Sequence, residues 1–258
     1  MPAAGRCPTR WWSSWSKPPG RDFSTAELLD LIRTSAGAPE LTVDILRVGT
    51  FSFAAQIAES FRDRRVFLVG DAAHRLTPRG GTGMNTAIHD AYDLSSKLGW
   101  VLREWAPAEL LDSYESERRP VGVRNTLNSA EANRDRTDAF ADDLAGRLPH
   151  VWQAGDRLST LDLIGPGLTL LTGPQGSRWH DLAAGLVTPL PLAVHGVDSV
   201  AAAAFDIGAG GAVLVRRDGQ LAGRWPSTVE SSDALQESVD AAIIGRSLEP
   251  AARTHSAA

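Results

Sequence analysis

The sequence predicts an α/β protein with long helices in its middle and a second α/β domain at its carboxyl end. A short apolar run at residues 66–69 precedes a glycine-rich loop, and apolar residues then repeat at intervals of three and four. Beyond Pro149, short apolar runs alternate with turn-rich stretches. With 43% hydrophobic residues in a length of 258, the chain has enough apolar side chains for a globular core.

Composition excludes several classes of function. The net charge of −5 comes from interspersed acidic and basic residues, so the sequence predicts neither nucleic acid nor a membrane surface as a partner. Cys7 is the single cysteine, which excludes an internal disulfide and a Cys-x-x-Cys redox pair. No apolar run has the length of a membrane span, and the first residues lack the apolar core of a secretory signal. A cytoplasmic location is therefore predicted.

The first 65 residues contain one predicted helix and one predicted strand. Ser24 and Glu27 have the spacing of a capping box, and Gly37 marks the end of the helix. A mostly alternating apolar pattern then predicts a strand through Leu41, Val43, Ile45, Val48, Phe51 and Phe53. Three tryptophans cluster earlier in the chain, at Trp11, Trp12 and Trp15. The preferred interpretation is a strand without its partners or a variable amino terminus, and the alternative is an aromatic wall of a substrate pocket.

Residues 66–85 carry the pattern that says most about chemistry. The run at 66–69 predicts a strand buried on both faces, and Gly70 permits a sharp turn at its end. Asp71 then stands where open α/β sheets bind ligands, and its carboxylate suits the hydroxyls of a polyol. A helix that opens near Asn85 offers its positive end to a ligand. The glycines that let backbone N–H groups approach that ligand are Gly80, Gly81 and Gly83.

Long helices are predicted after this loop. Apolar residues at helical spacing define one predicted buried face, through Ala87, Ile88, Ala91, Leu94, Leu98, Val101, Leu102 and Trp105. Pro107 suits the first turn of a second helix. The apolar stripe of that second helix comprises Leu110, Leu111 and Tyr114. A third helix is predicted from about Pro120 towards Leu144.

The carboxyl-terminal part has the pattern of a small α/β domain. Strands are predicted at residues 168–171, 190–194, 212–215 and 221–225. Asp218-Gly219 between the last two strands is a hairpin signal, and a helix over 234–244 closes the domain. A glycine cluster precedes the third strand instead of opening a helix, and it predicts a turn at Gly208, Gly210 and Gly211.

The motifs of the middle region resemble those of the FAD-dependent aromatic-ring monooxygenases. This family is typified by para-hydroxybenzoate hydroxylase and phenol hydroxylase and includes the aromatic polyketide hydroxylases. The matching segments are Gly70-Asp71-Ala72-Ala73-His74, Pro78-x-Gly80-Gly81-x-Gly83-Met84-Asn85, Asp90-Ala91-x-x-Leu94-x-x-Lys97-Leu98 and Tyr114-Glu115-x-Glu117-Arg118-Arg119-Pro120. Tyr92, Asp93 and Ser96 depart from the family pattern, in which asparagine commonly stands at the position of Asp93.

The resemblance implies a flavin site. Asp71 would hydrogen-bond the ribityl chain of FAD, and the backbone of residues 83–85 would face the pyrimidine edge of the flavin ring. The carbonyl of Pro78 would line the substrate side. Neither a metal site nor a catalytic side chain is predicted. The predicted cofactor-binding residues are Asp71, Pro78, Gly80, Gly81, Gly83, Met84 and Asn85.

The resemblance also implies three parts. Residues 1–65 correspond to remnants of substrate-domain strands and a helix, residues 66–148 to the FAD ribityl and flavin-loop segment with its long helices, and residues 149–258 to a thioredoxin-like α/β domain. The family opens with a strand, a Gly-x-Gly-x-x-Gly turn and a helix that bind the ADP half of FAD. The nearest match here, Gly81-x-Gly83-x-x-Thr86, lacks the third glycine. The chain is therefore predicted to be the carboxyl-terminal half of such an enzyme.

The predicted activity is hydroxylation of an aromatic substrate, polyketides included, with FAD as cofactor, NAD(P)H as reductant and O₂ as co-substrate. The expected partners are the aromatic small molecule and either a separate amino-terminal half or a second copy of the chain. The alternative is a non-catalytic truncated or split module that acts by binding a partner. A serine α/β-hydrolase lacks its Gly-x-Ser-x-Gly signature here.

His74 and the charged run around Arg118 are interpreted as structural features. His74 is predicted to hydrogen-bond its own loop, because its candidate partners in a metal site, His89 and Asp90, are adjacent on a helix and point apart. The run of charges around Arg118 and Arg119 suits a phosphate or a nicotinamide cofactor, but a solvated helix end with local ion pairs is the preferred interpretation.

Overall fold

A computed structural model describes residues 22–49, 53–78, 81–130, 147–153 and 158–246. The chain divides into two compact units, Met1–Ser52 and Phe53–Ala258.

The first unit contains helix α1, Thr25–Ala36, whose two ends are as predicted. The Ser24 hydroxyl accepts a hydrogen bond from the Glu27 N–H at 3.3 Å, and the Glu27 carboxylate accepts one from the Ser24 N–H at 2.8 Å. Gly37 ends the helix with a φ of +62°, a conformation that favours glycine. The capping box and the terminal glycine are therefore confirmed.

The strand predicted after α1 is absent from residues 41–49, so that prediction is wrong over this range. The side chains of Leu46 and Val48 are 74% and 64% exposed. An alternating pattern forms a strand only where a neighbouring strand supplies backbone hydrogen bonds, and none pairs with this segment among the described residues. Phe51 and the three clustered tryptophans, Trp11, Trp12 and Trp15, lie outside the described residues.

In the second unit, residues 53–130 form what we call the helical region. Its strands have two residues each: β1 (Gln56–Ile57) pairs with β4 (His74–Arg75), and β2 (Arg62–Asp63) pairs with β3 (Val66–Phe67), both antiparallel. A strand buried on both faces was predicted at 66–69, and this is wrong. Val66 is 63% exposed because β3 has one neighbour and no parallel partner in the described part of the chain.

Helix α2, Gly83–Leu102, is the longest element of the helical region, and its buried face differs from the predicted one. Of the predicted apolar face, Leu94 is buried, but Ile88 is 56% and Leu102 79% exposed. The buried positions of α2 are mainly polar or charged: Thr86, Asp90, Asp93, Leu94, Ser96, Lys97 and Trp100. Apolar periodicity therefore indicated the helix and part of its packed face correctly, through Leu94, Leu98 and Val101, but it placed Ile88, Ala91 and Leu102 inside although they are exposed, and it missed the buried polar positions.

The next helices also differ in their limits from the prediction. A 3₁₀ turn, Ala108–Asp112, leads into α3, Ser113–Ala130. The stripe of Leu110, Leu111 and Tyr114 is buried, as predicted. Pro120 lies inside α3 instead of at the start of a third helix. The predicted continuation towards Leu144 lies outside the described residues.

Residues 158–246 form the sheet region, in which the predicted strands are confirmed. Its four-stranded sheet has the order β6-β5-β7-β8, with β5 parallel to β6 and antiparallel to β7, and β7 antiparallel to β8. The strands are β5 (Leu168–Thr172), β6 (Leu192–Gly196), β7 (Ala212–Val215) and β8 (Leu221–Trp225). The helices are α4 (Arg178–Ala184), α5 (Ser199–Ala204) and α6 (Asp233–Ile243).

Apolar side chains from both faces of this sheet form its core. Leu168, Leu170 and Leu214 pack with Trp179 and the α6 side chains on one face. The buried group on the other face comprises Leu148, Leu171, Val197, Ala201, Ala202, Phe205, Ile207, Val213 and Val215. Gly219 has a φ of +82° at the tip of the β7–β8 hairpin, which confirms the Asp218-Gly219 turn. The predicted turn at Gly208, Gly210 and Gly211 also precedes β7 as expected.

The helical and sheet regions contact each other along α2. Trp100 packs in the core of the sheet region and donates from Nε1 to the Pro166 carbonyl at 2.9 Å. The Tyr92 hydroxyl donates to the Arg217 carbonyl at 2.9 Å. Among the helices that the structure describes, none combines the length and apolar character needed to cross a bilayer.

Candidate functional site

The turn that carries Asp71 is built on Gly70. Gly70 has a φ of +58°, and a Cβ at this residue would lie 3.0 Å from the Cβ of Ala87 on α2. Both features favour glycine, because a side chain here would be strained and would press on Ala87. Asp71 follows in a single 3₁₀ turn, Gly70–Ala72, and its side chain is exposed. The local fold thus buries Gly70 and leaves the Asp71 carboxylate exposed to contact a ligand.

The glycine-rich loop leads into the amino end of α2. Gly81 has a φ of +66°, and no heavy atom of the described residues beyond its chain neighbours lies within 4 Å of where its Cβ would be. Thr82 precedes the helix and makes no side-chain hydrogen bond to its first turn. Among the described residues, the N–H groups of Gly83, Met84 and Asn85 therefore have no intrahelical acceptor and no side-chain cap, whereas the Thr86 N–H donates to the Thr82 carbonyl at 2.9 Å. The first turn also presents Met84, which is 73% exposed, and Asn85, which is partly exposed.

Pro78 and Gly80 are the two predicted residues that precede Gly81 in the loop. The Pro78 carbonyl accepts a hydrogen bond from the Gly81 N–H at 3.2 Å, which closes the loop on itself. A carbonyl oxygen has a second lone pair, so this bond leaves one for a ligand. Gly80 lies outside the described residues.

Asp90 joins the predicted site to the rest of the helical region. It is fully buried, and its Oδ2 lies 2.6 Å from His74 Nε2 and accepts from the Gly70 N–H at 3.2 Å. Its Oδ1 accepts from Arg118 Nε at 2.8 Å. We call His74, Asp90 and Arg118 the Asp90 cluster. His74 was predicted to bond within its own loop, but it instead contacts a helix sixteen residues away.

The charged run at the start of α3 is not a solvated helix end, so that interpretation is wrong. Arg118 is 2% exposed. The Glu115 carboxylate accepts from the backbone N–H groups of Phe61 and Arg62 at 2.9 and 3.1 Å, and the Tyr114 hydroxyl donates to the Leu68 carbonyl at 2.7 Å. Partners that are remote in sequence satisfy these groups, and a local reading of the motif could not have found them.

A second buried cluster lies farther along α2, and we call it the Asp93 cluster. Lys97 Nζ lies 2.9 Å from Asp93 Oδ1 and 3.1 Å from Glu117 Oε2. Arg216, at the end of β7, donates two hydrogen bonds of 2.8 Å to the Glu117 carboxylate and also pairs with Asp93 and Asp218. These five side chains connect α2, α3 and the β7–β8 hairpin.

The Asp93 cluster contains three carboxylates and two cations. Burial raises the pKa of Asp93 to about 7 despite the nearby Lys97. Burial opposes ionisation of Glu117 too, but hydrogen bonding and charge from Arg216, with Lys97, lower its pKa to about 2. With one proton on Asp93, the two remaining carboxylates would balance the charges of Lys97 and Arg216.

Carboxylate oxygens of Asp93, Glu117 and Asp218 lie within 4.8 Å of one another, which is a spacing that a metal ion could use. Lys97 and Arg216 already contact all three carboxylates between them. The donor set is therefore that of an ion-pair cluster, in which protein cations take the place of a metal.

The residues around the loop fit a flavin cofactor in three respects. The backbone at Gly81 is unobstructed, the first turn of α2 offers N–H donors, and the Asp71 carboxylate is exposed. Donors at a helix amino end suit the acceptor-rich edge of a flavin ring, and a carboxylate suits its sugar-alcohol chain.

Comparison with known proteins agrees with this fit. Residues 9–129 match the FAD binding domain family, and residues 142–246 match the aromatic-ring hydroxylase C-terminal family. Tetracenomycin B2 monooxygenase-dioxygenase from Streptomyces olivaceus is 34% identical over 87% of this chain and 51% of its own length. Aklavinone 12-hydroxylase from Streptomyces purpurascens is 33% identical over 83% of this chain and 50% of its own length.

A solved structure supports the same relationship. The crystal structure of a ternary complex of aklavinone-11 hydroxylase with FAD and aklavinone aligns with a TM-score of 0.69 and 29% identity. The alignment covers 87% of this chain and 52% of that one. The chain thus spans about half the length of the curated relatives that it matches. Through the two domain families that cover most of its length, the chain belongs to the FAD-dependent aromatic-ring hydroxylases.

Proposed function

We propose that this chain contributes the flavin loop and the carboxyl-terminal domain to an FAD-dependent hydroxylation of an aromatic, polyketide-like substrate. NAD(P)H is the reductant and O₂ the co-substrate. The observation that carries the proposal is the unobstructed backbone at Gly81 before the uncapped first turn of α2, together with the exposed Asp71. The names of the polyketide-modifying relatives support the substrate class.

Each predicted residue has one task in this proposal. Asp71 accepts hydrogen bonds from the ribityl hydroxyls, and the loop of Gly80 and Gly81 keeps side chains away from the ring. The Pro78 carbonyl lines the substrate side. The backbone of Gly83, Met84 and Asn85 donates to the pyrimidine edge.

The α2 terminus has an electrostatic task. FAD, when bound, supplies the redox chemistry that activates oxygen. The positive end of α2 favours negative charge on the nearby ring edge by about 0.3–2 kcal/mol, so it adjusts the cofactor without creating the chemistry.

The proposed organisation follows the three predicted parts, 1–65, 66–148 and 149–258. The βαβ unit from β5 to β6, followed by the β7–β8 hairpin and α6, supports a thioredoxin-like carboxyl-terminal domain. With one cysteine in the sequence, this domain has no cysteine pair for dithiol chemistry. Its task is packing against α2, which the Trp100 and Tyr92 contacts support.

The test has a binding arm and an activity arm. If half of an FAD interaction worth about −8 kcal/mol remains, the isolated chain should bind FAD with a dissociation constant on the order of 1 mM. Asp71→Asn should weaken this binding, whereas Asp63→Asn, at another exposed aspartate, should not. With a Gly-x-Gly-x-x-Gly domain of a relative supplied in trans, FAD should support NAD(P)H oxidation coupled to a hydroxylated product. A folded, reconstituted complex that shows neither flavin binding nor NAD(P)H oxidation would refute the proposal.

A second candidate is a non-catalytic module that binds a protein partner. The exposed apolar side chains of Met84 and Ile88 on α2 favour it. Here the partner would be a separate FAD-binding half or a second copy of the chain. Stable association that is indifferent to FAD would support this candidate, and FAD binding by the isolated chain would count against it.

A further inference from the structure

The Asp71 carboxylate can recognise a ligand only if the turn that carries it has a fixed direction. Asp71 itself is exposed, so its own side chain does not provide this. The preceding residue does, because the Gly70 N–H donates to Asp90 Oδ2 at 3.2 Å. This distance is at the long end of the N–H···O range, and the carboxylate acceptor strengthens the bond relative to one with a neutral acceptor.

Asp90 has the properties of a rigid anchor. It is fully buried, and two further groups hold its carboxylate, His74 Nε2 at 2.6 Å and Arg118 Nε at 2.8 Å. Arg118 is itself 2% exposed and is fixed by its place on α3. Since α2, α3 and β4 each supply one member of the Asp90 cluster, the carboxylate cannot move without moving three elements.

The turn also packs closely against α2 at Gly70. A Cβ at Gly70 would lie 3.0 Å from the Cβ of Ala87, three residues before Asp90 on the same helix. The first turn of that helix contains Gly83, Met84 and Asn85. Asp90 therefore ties the turn of Asp71 to the element that presents the donors of the flavin loop.

We infer that Asp90 is a positioning residue: its bond to the Gly70 N–H aims the Asp71 carboxylate at the ribityl chain of the flavin. This inference rests on the proposed function and names the residue that makes the cofactor-binding turn rigid. Asp90 contacts no cofactor and acts through Gly70.

Riboflavin is the probe for the ligand-binding part of the test, because it has the ribityl chain and lacks the ADP half. Saturation-transfer NMR on the full chain reports ribityl and ring-methyl protons separately. Asp71→Asn and Asp90→Asn should each lower the ribityl signal relative to the ring-methyl signal and weaken binding roughly tenfold, as expected for one lost hydrogen bond to a charged group. The double variant should be no weaker than either single one.

Asp93→Asn is the matched control, because it also removes a buried carboxylate from α2 but has no contact with the turn. It should keep the wild-type ratio of ribityl to ring-methyl signal. Retention of that ratio in Asp90→Asn, with its loss in Asp71→Asn, would overturn the inference and leave the proposed function intact.

Amide hydrogen exchange tests the anchor without ligand. In the wild-type chain, the Gly70 amide should exchange slowly, and Asp90→Asn should accelerate it roughly tenfold while amides of β5 and β7 keep their rates. An unprotected Gly70 amide in the wild-type chain would overturn the inference even if Asp90→Asn does not fold. Failure of the wild-type chain to bind riboflavin would instead refute the flavin site, and a protected Gly70 would then support the anchor alone.

Discussion

The helical and sheet regions of the second unit achieve stability by different means. In the sheet region, four paired strands bury leucine and valine side chains on both faces, so apolar burial dominates. In the helical region, strands of two residues surround helices whose buried faces carry charge, in the Asp90 and Asp93 clusters. In the helical region the buried charges pair with residues that are distant in sequence, so the motif does not reveal the pairs, whereas apolar periodicity in the sheet region indicates which residues are buried.

Arg216 provides the largest test of this comparison, because it is the sheet region's cation within the Asp93 cluster. Arg216→Leu leaves three carboxylates facing Lys97 alone. We expect a loss of about 3–5 kcal/mol in the free energy of unfolding, measured by urea denaturation. The control is Arg217→Leu, at the exposed neighbouring position. Equal stability of the two variants would mean that the cluster does not hold the regions together.

Leu214 tests the apolar side of the comparison. It is fully buried in β7, and Leu214→Ala leaves a cavity in a cluster of apolar side chains. The expected loss is about 2–5 kcal/mol in the same urea experiment. Leu127→Ala on α3, where the leucine is 58% exposed, should change the free energy of unfolding by less than about 0.5 kcal/mol. A small effect at Leu214 would contradict an apolar origin of stability in the sheet region.

Asp93 gives a pH-dependent effect of intermediate size. Its folded pKa of about 7 exceeds the ordinary aspartate pKa of about 3.9, so between these pH values the folded state holds a proton that the unfolded state lacks. Stability from this group is therefore present at low pH and declines as pH rises towards 7. Between pH 5 and 8, the free energy of unfolding of the wild-type chain should therefore decline by roughly 2–3 kcal/mol more than that of Asp93→Asn. Urea denaturation at each pH measures this difference.

The sign of this effect separates Asp93 from its neighbour. The folded pKa of Glu117 is lowered to about 2, so its contribution is retained above the ordinary glutamate pKa and disappears only as pH falls towards 2. Glu117→Gln should consequently be destabilising throughout pH 5 to 8. Parallel pH profiles for wild type and Asp93→Asn would contradict the assignment of the shared proton to Asp93.

The smallest expected effect is on the exposed apolar residues of α2. Ile88→Ser should change the free energy of unfolding by less than about 0.5 kcal/mol, because Ile88 is 56% exposed in the chain. Thermal unfolding of Ile88→Ser beside Leu94→Ser, a buried position on the same helix, measures the contrast. A large loss at Ile88 would show that the apolar periodicity had identified the buried face correctly.

The sequence predicted structure best where the interacting residues lie within one segment of the chain. The four sheet strands, the Asp218-Gly219 hairpin and the Ser24 cap depend on neighbours within the same segment, and all were predicted. Gly70 was also predicted, because its positive φ is a local requirement.

Other features depend on residues that are distant in sequence. The pairing of Asp90 with Arg118 and that of Glu117 with Arg216 join elements 28 and 99 residues apart, and no local pattern announces them. The exposed face of α2 was missed because apolar spacing identifies a helix without stating what covers it. The roles of Asp71 and Asn85 in flavin binding stay predictions.

The most direct test of the flavin site is an amide chemical-shift map of the chain titrated with FAD into the millimolar range. The account predicts that the largest shifts fall on Asp71 and on the amides of Gly81, Gly83, Met84 and Asn85, with little change in β5 to β8. A map in which these amides stay unshifted at saturating FAD, or in which the shifts concentrate in the sheet region, would contradict it.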